Sequence, residues 1–200
     1  MPVERLVVCH LGGGCSVTAV KGGRSVDTTM GFTPLEGVVM ATRSGSVDPG
    51  LLLHLLRRGL SVDEVEHALE HESGLLGLSE HSPHVLELEE AAGDGDDRAR
   101  LALEIFGRRI TQAVASMTVS LGGIDALVFT GGTGERSAWV REHVCAQLAW
   151  TGVALDPEAN AHLDGEGEVG AGATRVAVVK SREDIVIARA ARRAVSASVN

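Results

Sequence analysis

Hydrophobic and polar positions along the chain predict strands first and helices later. Buried strands are predicted over residues 5–11 and 15–20, with a third over 24–29, and the glycine runs between them are typical of hairpin turns. Short apolar runs predict two further strands, over residues 126–129 and 175–179. The chain therefore opens with a hairpin whose strands can pair with strands that come much later.

Capping signals and helical periodicity occupy the segments between these strands. Asp48-Pro49 predicts a helix that ends near residue 59, and the capping-box pair Ser61 and Glu64 starts another that ends near residue 71. Further helices are predicted over residues 85–92, 96–121, 137–150 and 183–199. Loops are predicted over residues 30–48, 74–82, 131–134 and 163–173. Strands that alternate with helices after an opening hairpin predict an α/β fold.

The amino-acid composition argues against some classes of binding partner. The 200 residues are 44% hydrophobic, which is enough for a core, and their number alone fits either one large domain or two small ones. A net charge of −9 and an aromatic content of 2% argue against nucleic acid as a partner. The same charge repels nucleotides, so a phosphate site must be built locally from backbone N–H groups, an arginine or a metal ion.

Cysteine usage and the lack of long apolar runs predict the compartment. Cys9, Cys15 and Cys145 form no even set and no C-x-x-C pair, which is typical of a reducing compartment. No run of apolar residues reaches the length of a signal peptide or a membrane span. We therefore expect a cytoplasmic protein with no membrane partner.

Two glycine-rich turns could bind phosphate. The segment His10-Leu-Gly-Gly-Gly-Cys-Ser16 joins two strands, and residues 127–137 run from a strand through Gly-Gly-Thr-Gly to a capped helix. Backbone N–H groups at such turns can converge on an anion. Neither turn continues as a Walker A loop. An ordinary hairpin turn and a plain strand-to-helix turn remain the alternatives.

Two charged residues lie near further irregular segments. Arg43 is the only cation of the loop formed by residues 27–45, and a guanidinium can clamp a phosphate or carboxylate with two donors. The alternative is an ion pair between Arg43 and Asp48 or Glu36. Glu183 follows the last predicted strand, where it could bind Mg²⁺ or only cap a helix.

Taken together, these segments resemble the carboxyl-terminal half of the acetate kinase family, within the acetate and sugar kinase/Hsp70/actin superfamily. The resemblance is carried by His10-Leu-Gly-x-Gly-x-Ser, by residues 25–37 and 42–45, by Asp48-Pro49, and by the segments 73–77, 129–135 and 183–188. It covers nearly all of the chain. It implies a single domain over residues 1–200, of the ribonuclease H-like α/β type with a central mixed sheet flanked by helices.

The resemblance also implies an activity and a set of site residues. The activity is Mg²⁺-dependent phosphoryl transfer from ATP to acetate, which yields ADP and acetyl phosphate. Arg43 corresponds to the arginine that stabilises the transition state, and Glu183 to a Mg²⁺-binding glutamate. The residues implied to contact ATP are His10, Leu11, Gly12, Gly13 and Gly14 in one turn, and Gly132, Thr133, Gly134, Glu135 and Arg136 in the other.

Departures from the family pattern leave alternatives open. Gly13 and Arg136 each stand where the family usually has asparagine, and His84-Val85-Leu86 replaces Asp-Met-Arg at a third nucleotide contact. The family's amino-terminal half, with further catalytic residues, is expected to be absent here. The chain could thus be a truncated, inactive form that pairs with such a half or forms a homodimer. It could also be an inactive nucleotide-binding or interaction module, or a propionate or butyrate kinase.

Overall fold

A six-stranded mixed sheet forms the centre of residues 3–198, the part of the chain described by the computed structural model. The strands are β1 Arg5–Leu11, β2 Cys15–Lys21, β3 Arg24–Thr28, β4 Ala126–Thr130, β5 Gly167–Glu168 and β6 Arg175–Val178. Their order across the sheet is β3-β2-β1-β4-β6-β5. The first three strands are antiparallel, whereas β1, β4 and β6 run parallel. The predicted α/β class and mixed sheet are confirmed.

Helices flank this sheet. They are α1 Pro49–Arg57, α2 Val62–His71, α3 Gly74–Ser79, α4 Val85–Gly93, α5 Asp97–Leu121, α6 Gly131–Arg136, α7 Ala138–Gln147, α8 Pro157–Ala161 and α9 Glu183–Ser198, with a 3₁₀ turn at Ala149–Thr151. The predicted caps are present, since Asp48 accepts a hydrogen bond from the amide of Gly50 and Ser61 forms a capping box with Glu64. No helix in the described part of the chain is both long and apolar enough to cross a membrane.

The core lies between the sheet and α5. Alternate residues of β1, namely Val7, Cys9 and Leu11, are fully buried, as the period of a strand requires. Phe106 and Ile110 of α5 belong to the same hydrophobic cluster. This packing leaves the turns at the strand ends free to form a site.

Two segments predicted as loops are helices. Residues 74–79 form α3, whose start is held by tertiary contacts: the amides of Leu75 and Leu76 donate to the carbonyls of Met40 and Ala41. Residues 131–136 form α6, whose first amide, that of Gly131, donates to the side chain of Glu135. Both predictions were wrong because the two helices are too short to show a periodic pattern, and hydrogen bonds to the residues at their ends stabilise them instead.

Other boundaries differ by smaller amounts. The helix predicted over residues 137–150 ends at Gln147, and the 3₁₀ turn follows it. The predicted surface loop over residues 163–173 contains β5 and the buried Val169, because β5 pairs with β6. The last strand ends at Val178 rather than at residue 179. The predicted end of α9 at Val199 lies outside the described residues.

Asp125 ties the starts of β1 and β4 together. Its carboxylate accepts hydrogen bonds from the Arg5 backbone amide at 2.8 Å and from Arg5 Nε and Nη2 at 3.1 and 2.5 Å. The Asp125 amide in turn donates to the Arg5 carbonyl at 2.9 Å. The Arg5 side chain, followed by its backbone amide, lowers the pKa of Asp125 to about 2.

We expect Asp125→Asn to destabilise the fold in a pH-dependent way. The native pKa of Asp125 is depressed, so its contribution is complete above the unfolded pKa of about 3.9 and is lost as the pH falls towards 2. Urea unfolding of both proteins from pH 7 to pH 2 should show a stability gap that closes below pH ~4. The control, Glu142→Gln, changes one exposed carboxylate and should leave no such gap. A pH-independent difference for Asp125→Asn would contradict this assignment.

We expect Gly131→Ala to destabilise the protein more than Gly13→Ala. Gly131 has a φ of +81°, and a methyl group there would lie 2.8 Å from the Leu11 carbonyl oxygen. At Gly13, no atom lies within 4 Å of the same position. Strain of this kind costs about 1–3 kcal/mol, or a fall in Tm of about 2–10 °C for a chain of this length. Calorimetry measures the Tm of both variants. Equal Tm values for Gly131→Ala and Gly13→Ala would contradict the prediction.

Candidate functional site

A cleft of about 410 Å³ opens at the carboxyl ends of β1 and β4. In open α/β sheets, ligands bind at this edge. Its lining combines the turn after β1, the turn after β4, one residue of the long loop and the start of α4. The lining residues are Gly12, Gly13, Ala41, Pro83, His84, Val85, Leu86, Glu87, Gly132, Thr133 and Arg136.

The turn between β1 and β2 forms one wall. The Gly12 amide donates to the Gly14 carbonyl at 3.0 Å, which closes the turn, and Gly13 is exposed at its tip. The Gly13 carbonyl accepts from the Ala41 amide at 3.4 Å, which brings the long loop to the cleft. Leu11 is fully buried and lies beneath this wall.

Helix α6, which begins directly after β4, forms the opposite wall. Gly132 and Thr133 line the cleft, whereas Gly134 is buried against Phe129. Arg136 Nε donates to the Gly132 carbonyl at 3.1 Å, so its guanidinium stays at the cleft edge.

Glu135 is turned away from the cleft lining. Its Oε1 atom accepts hydrogen bonds from the amides of Gly131 at 3.1 Å and Ser181 at 2.9 Å. This carboxylate therefore connects the turn after β4 with the turn before α9.

Arg43 lies behind the β1–β2 turn. Its Nη1 atom is 3.4 Å from the position that a Cβ on Gly14 would occupy, and donates weakly to the Pro34 carbonyl at 3.4 Å. The ion pairs found among residues 3–198 include none between Arg43 and Asp48 or Glu36. Asp48 instead caps α1. The guanidinium is therefore available to an anion.

Glu183 and His10 meet beside the same turns. Glu183 Oε1 lies 3.6 Å from His10 Nε2, and the Glu183 side chain is 72% exposed. The described residues contain no group of three metal-ligating side chains. Mg²⁺ needs only one or two carboxylates when nucleotide phosphates and water supply its other ligands. A single exposed carboxylate beside the cleft fits that chemistry.

The start of α4 forms a further wall of the cleft. Only the family resemblance indicated from the sequence that this segment belongs to the site. His84, Val85 and Leu86 line the cleft at the position where the family has Asp-Met-Arg. Three further lining residues were not predicted from the sequence: Ala41, Pro83 and Glu87. The one signal for Ala41 was its position directly before the Thr42-Arg43-Ser44-Gly45 segment. The cleft can therefore hold phosphate through backbone N–H groups and a cation, with an apolar surface on the side of α4.

Known proteins match this chain over almost its full length. A sequence profile of the Acetokinase family matches residues 2–189. An acetate kinase from Acaryochloris marina is 48% identical over 189 residues, which are 94% of this chain and 48% of that protein. A propionate kinase from Escherichia fergusonii is 45% identical over 92% of this chain and 46% of its own length.

A solved structure agrees with these matches. The crystal structure of Porphyromonas gingivalis acetate kinase superimposes with a TM-score of 0.89 at 37% identity, over 93% of this chain and 48% of that one. The chain spans about half the length of the curated relatives that it matches. On the profile and the identities together, the chain belongs to the acetokinase family.

Proposed function

We propose that this chain is the nucleotide-binding half of a kinase that transfers a phosphoryl group from ATP to acetate, giving ADP and acetyl phosphate. The observation that carries the proposal is the cleft between two glycine turns, with Arg43 and Glu183 beside it, in a member of this family. Phosphoryl transfer needs positioning and charge stabilisation more than covalent catalysis, and these residues can supply both.

Each proposed role follows from chemistry. Backbone N–H groups of residues 13–14 and 132–134 hold phosphate oxygens, Gly12 closes the first turn, and Arg136 adds a cation at the rim. Glu183 binds Mg²⁺, which when bound neutralises charge on the phosphate oxygens. An acetate oxygen forms a bond to the γ-phosphorus as the bond to the ADP oxygen breaks. Arg43 donates to the phosphoryl oxygens as that charge moves.

A longer acyl group is the second candidate within the same reaction class. The E. fergusonii relative carries the name propionate kinase and is nearly as similar as the acetate kinases. Propionate and butyrate present the same carboxylate to the phosphoryl group. The acids are distinguished by the pocket for the acyl chain, so activity with each acid discriminates between them.

A partner for this half is supported by its exposed apolar side chains. Helix α1 has no buried residue although five of its nine residues are leucine, and Leu51 and Leu53 are 45% and 53% exposed. On α9, Val186 and Ile187 are 62% and 67% exposed. Exposed apolar patches of this kind mark interfaces. We propose that residues 1–200 act as one domain that pairs with the amino-terminal half of such an enzyme, or with a second copy.

An inactive nucleotide-binding module is the candidate from a different class. It is favoured by His84 and Leu86, which line the cleft at the positions where the resemblance implies an aspartate and an arginine. For either function we propose a cytoplasmic location. Burial raises the pKa of the Cys15 and Cys145 thiols to about 12, and all three cysteines are free and buried, as suits a reducing compartment.

Acetyl phosphate formation tests the proposal. The chain alone should show no turnover in a hydroxamate assay, and should gain Mg²⁺-dependent turnover when mixed with the amino-terminal half of the A. marina acetate kinase. Titration calorimetry with Mg·ADP measures nucleotide binding by the chain alone. Binding without turnover in any mixture would favour the inactive module, and the absence of both would contradict the proposal.

We expect Arg43→Ala to abolish turnover of the mixed enzyme without loss of folding. An arginine that acts on the moving phosphoryl group is worth about 10³–10⁵ in rate. Arg43→Lys should recover little, because an ammonium group lacks the planar fork. The control is Arg24→Ala on the edge strand β3, which should leave kcat unchanged. A normal kcat per folded molecule of Arg43→Ala would end the catalytic assignment.

We expect Glu183→Gln to raise the Mg²⁺ concentration needed for half-maximal turnover. The amide keeps the size of the side chain but removes the charge that binds the cation. A Mg²⁺ titration at saturating ATP, with Glu142→Gln as the matched control on α7, measures the shift. An unchanged Mg²⁺ requirement would remove Glu183 from the metal site.

A further inference from the structure

Arg141 on α7 is a buried cation that forms no ion pair with any carboxylate of residues 3–198. It is 2% exposed, and its Nε and Nη2 atoms donate to Asn160 Oδ1 at 2.7 Å and to the Asn160 carbonyl at 2.9 Å. Its Nη1 atom donates to the carbonyls of Gly134 and Glu135, both at 3.0 Å. Burial lowers the pKa of Arg141. A guanidinium held in this way is costly, so its contacts call for an explanation.

The two carbonyls that Arg141 holds belong to α6, one wall of the cleft. Helix α6 has six residues, which is too short to be stable by itself. Its last carbonyls carry the negative end of the helix dipole, where a cation is favourable. Its first amide is held by Glu135 Oε1. Arg141 therefore fixes the carboxyl-terminal half of α6, a helix whose residues Gly132, Thr133 and Arg136 line the cleft.

Asn160, which accepts two hydrogen bonds from the Arg141 guanidinium, is itself held in place. Asn160 is 4% exposed, and its Nδ2 atom donates to the Ala138 carbonyl at 3.0 Å, which ties α8 to the start of α7. At the same end of α7, Ser137 Oγ accepts from the Val140 amide at 2.9 Å and donates to the carboxylate of Glu89 on α4. The planar guanidinium of Arg141 is thus held in one orientation by its buried neighbours. A residue that positions another segment needs such a fixed orientation.

We propose that Arg141 is a positioning residue for the nucleotide. It holds α6 through the Gly134 and Glu135 carbonyls, so that the backbone N–H groups of the cleft wall are arranged before the phosphates arrive. Arg141 is buried and acts through α6 without touching the ligand. The inference rests on the proposed function for the identity of the ligand, whereas its effect on α6 is independent of any ligand.

The test separates a local effect on α6 from a general loss of stability. Arg141→Met removes the donors but keeps an unbranched side chain. The control is Val144→Ala, another fully buried residue of α7 that lies one turn further along. Amide exchange of residues 131–137 and Mg·ADP affinity by calorimetry are measured on both variants, and Tm is recorded to compare their stability. The amide exchange rates of residues 131–137 are compared with those of α5 in the same variant.

We expect Arg141→Met to accelerate exchange in residues 131–137 selectively and to weaken Mg·ADP binding by about tenfold or more, as loss of an outer-shell contact does elsewhere. Val144→Ala should lower Tm yet leave exchange in residues 131–137 and affinity near those of the unmodified chain. Arg141→Lys should recover only part of the affinity. Methylguanidinium added to Arg141→Ala should slow the exchange again.

Two outcomes would overturn the inference. If Arg141→Met and Val144→Ala change exchange in residues 131–137 equally for the same loss of Tm, Arg141 has only a general structural role. If exchange accelerates selectively but Mg·ADP affinity is unchanged, α6 needs no positioning for the nucleotide. If the unmodified chain binds no Mg·ADP, the proposed function fails, and so does the role of Arg141 toward a nucleotide. The exchange data then still decide whether Arg141 holds α6.

Discussion

The parallel pairing of β1 with β4 is the constraint on which the site depends. Leu6 pairs with Ala126 and His10 with Thr130, so the two strands end side by side although about 120 residues separate them. Strand β1 is followed at once by a glycine turn and β4 by the glycine-rich helix α6, and these two segments become the facing walls of one cleft. The Arg5–Asp125 contacts hold the opposite ends of the same strands in register.

The chemistry of the cleft follows from its backbone more than from its net charge. A chain with a charge of −9 does not attract a nucleotide by its overall field. Backbone amides carry fixed partial positive charges, and Arg43 adds one cation for which the described residues provide no ion pair. A site built in this way has the local character that phosphoryl transfer requires.

Short helices show how this local arrangement is stabilised. Neither α3 nor α6 has the length to be stable alone. The first amides of α3 donate to Met40 and Ala41, which supports the loop that carries Arg43, and Arg141 holds the last carbonyls of α6. The loop that carries Arg43 and the α6 wall of the cleft therefore depend on hydrogen bonds from outside their own segments. Sequence reasoning predicted loops at both places for that reason.

The sequence by itself determined the elements that carry their own signals. Alternation identified β1 and β2, caps at Asp48 and Ser61 identified α1 and α2, and the order of its motifs identified the family. Tertiary structure alone decided that Ala41, Pro83 and Glu87 join the cleft, that Arg43 stays unpaired with Asp48, and that Arg141 is buried beneath α6. Local propensity is encoded within a few residues. These three outcomes depend on which distant backbone carbonyls and amides the folded sheet brings together, and no local pattern contains that information.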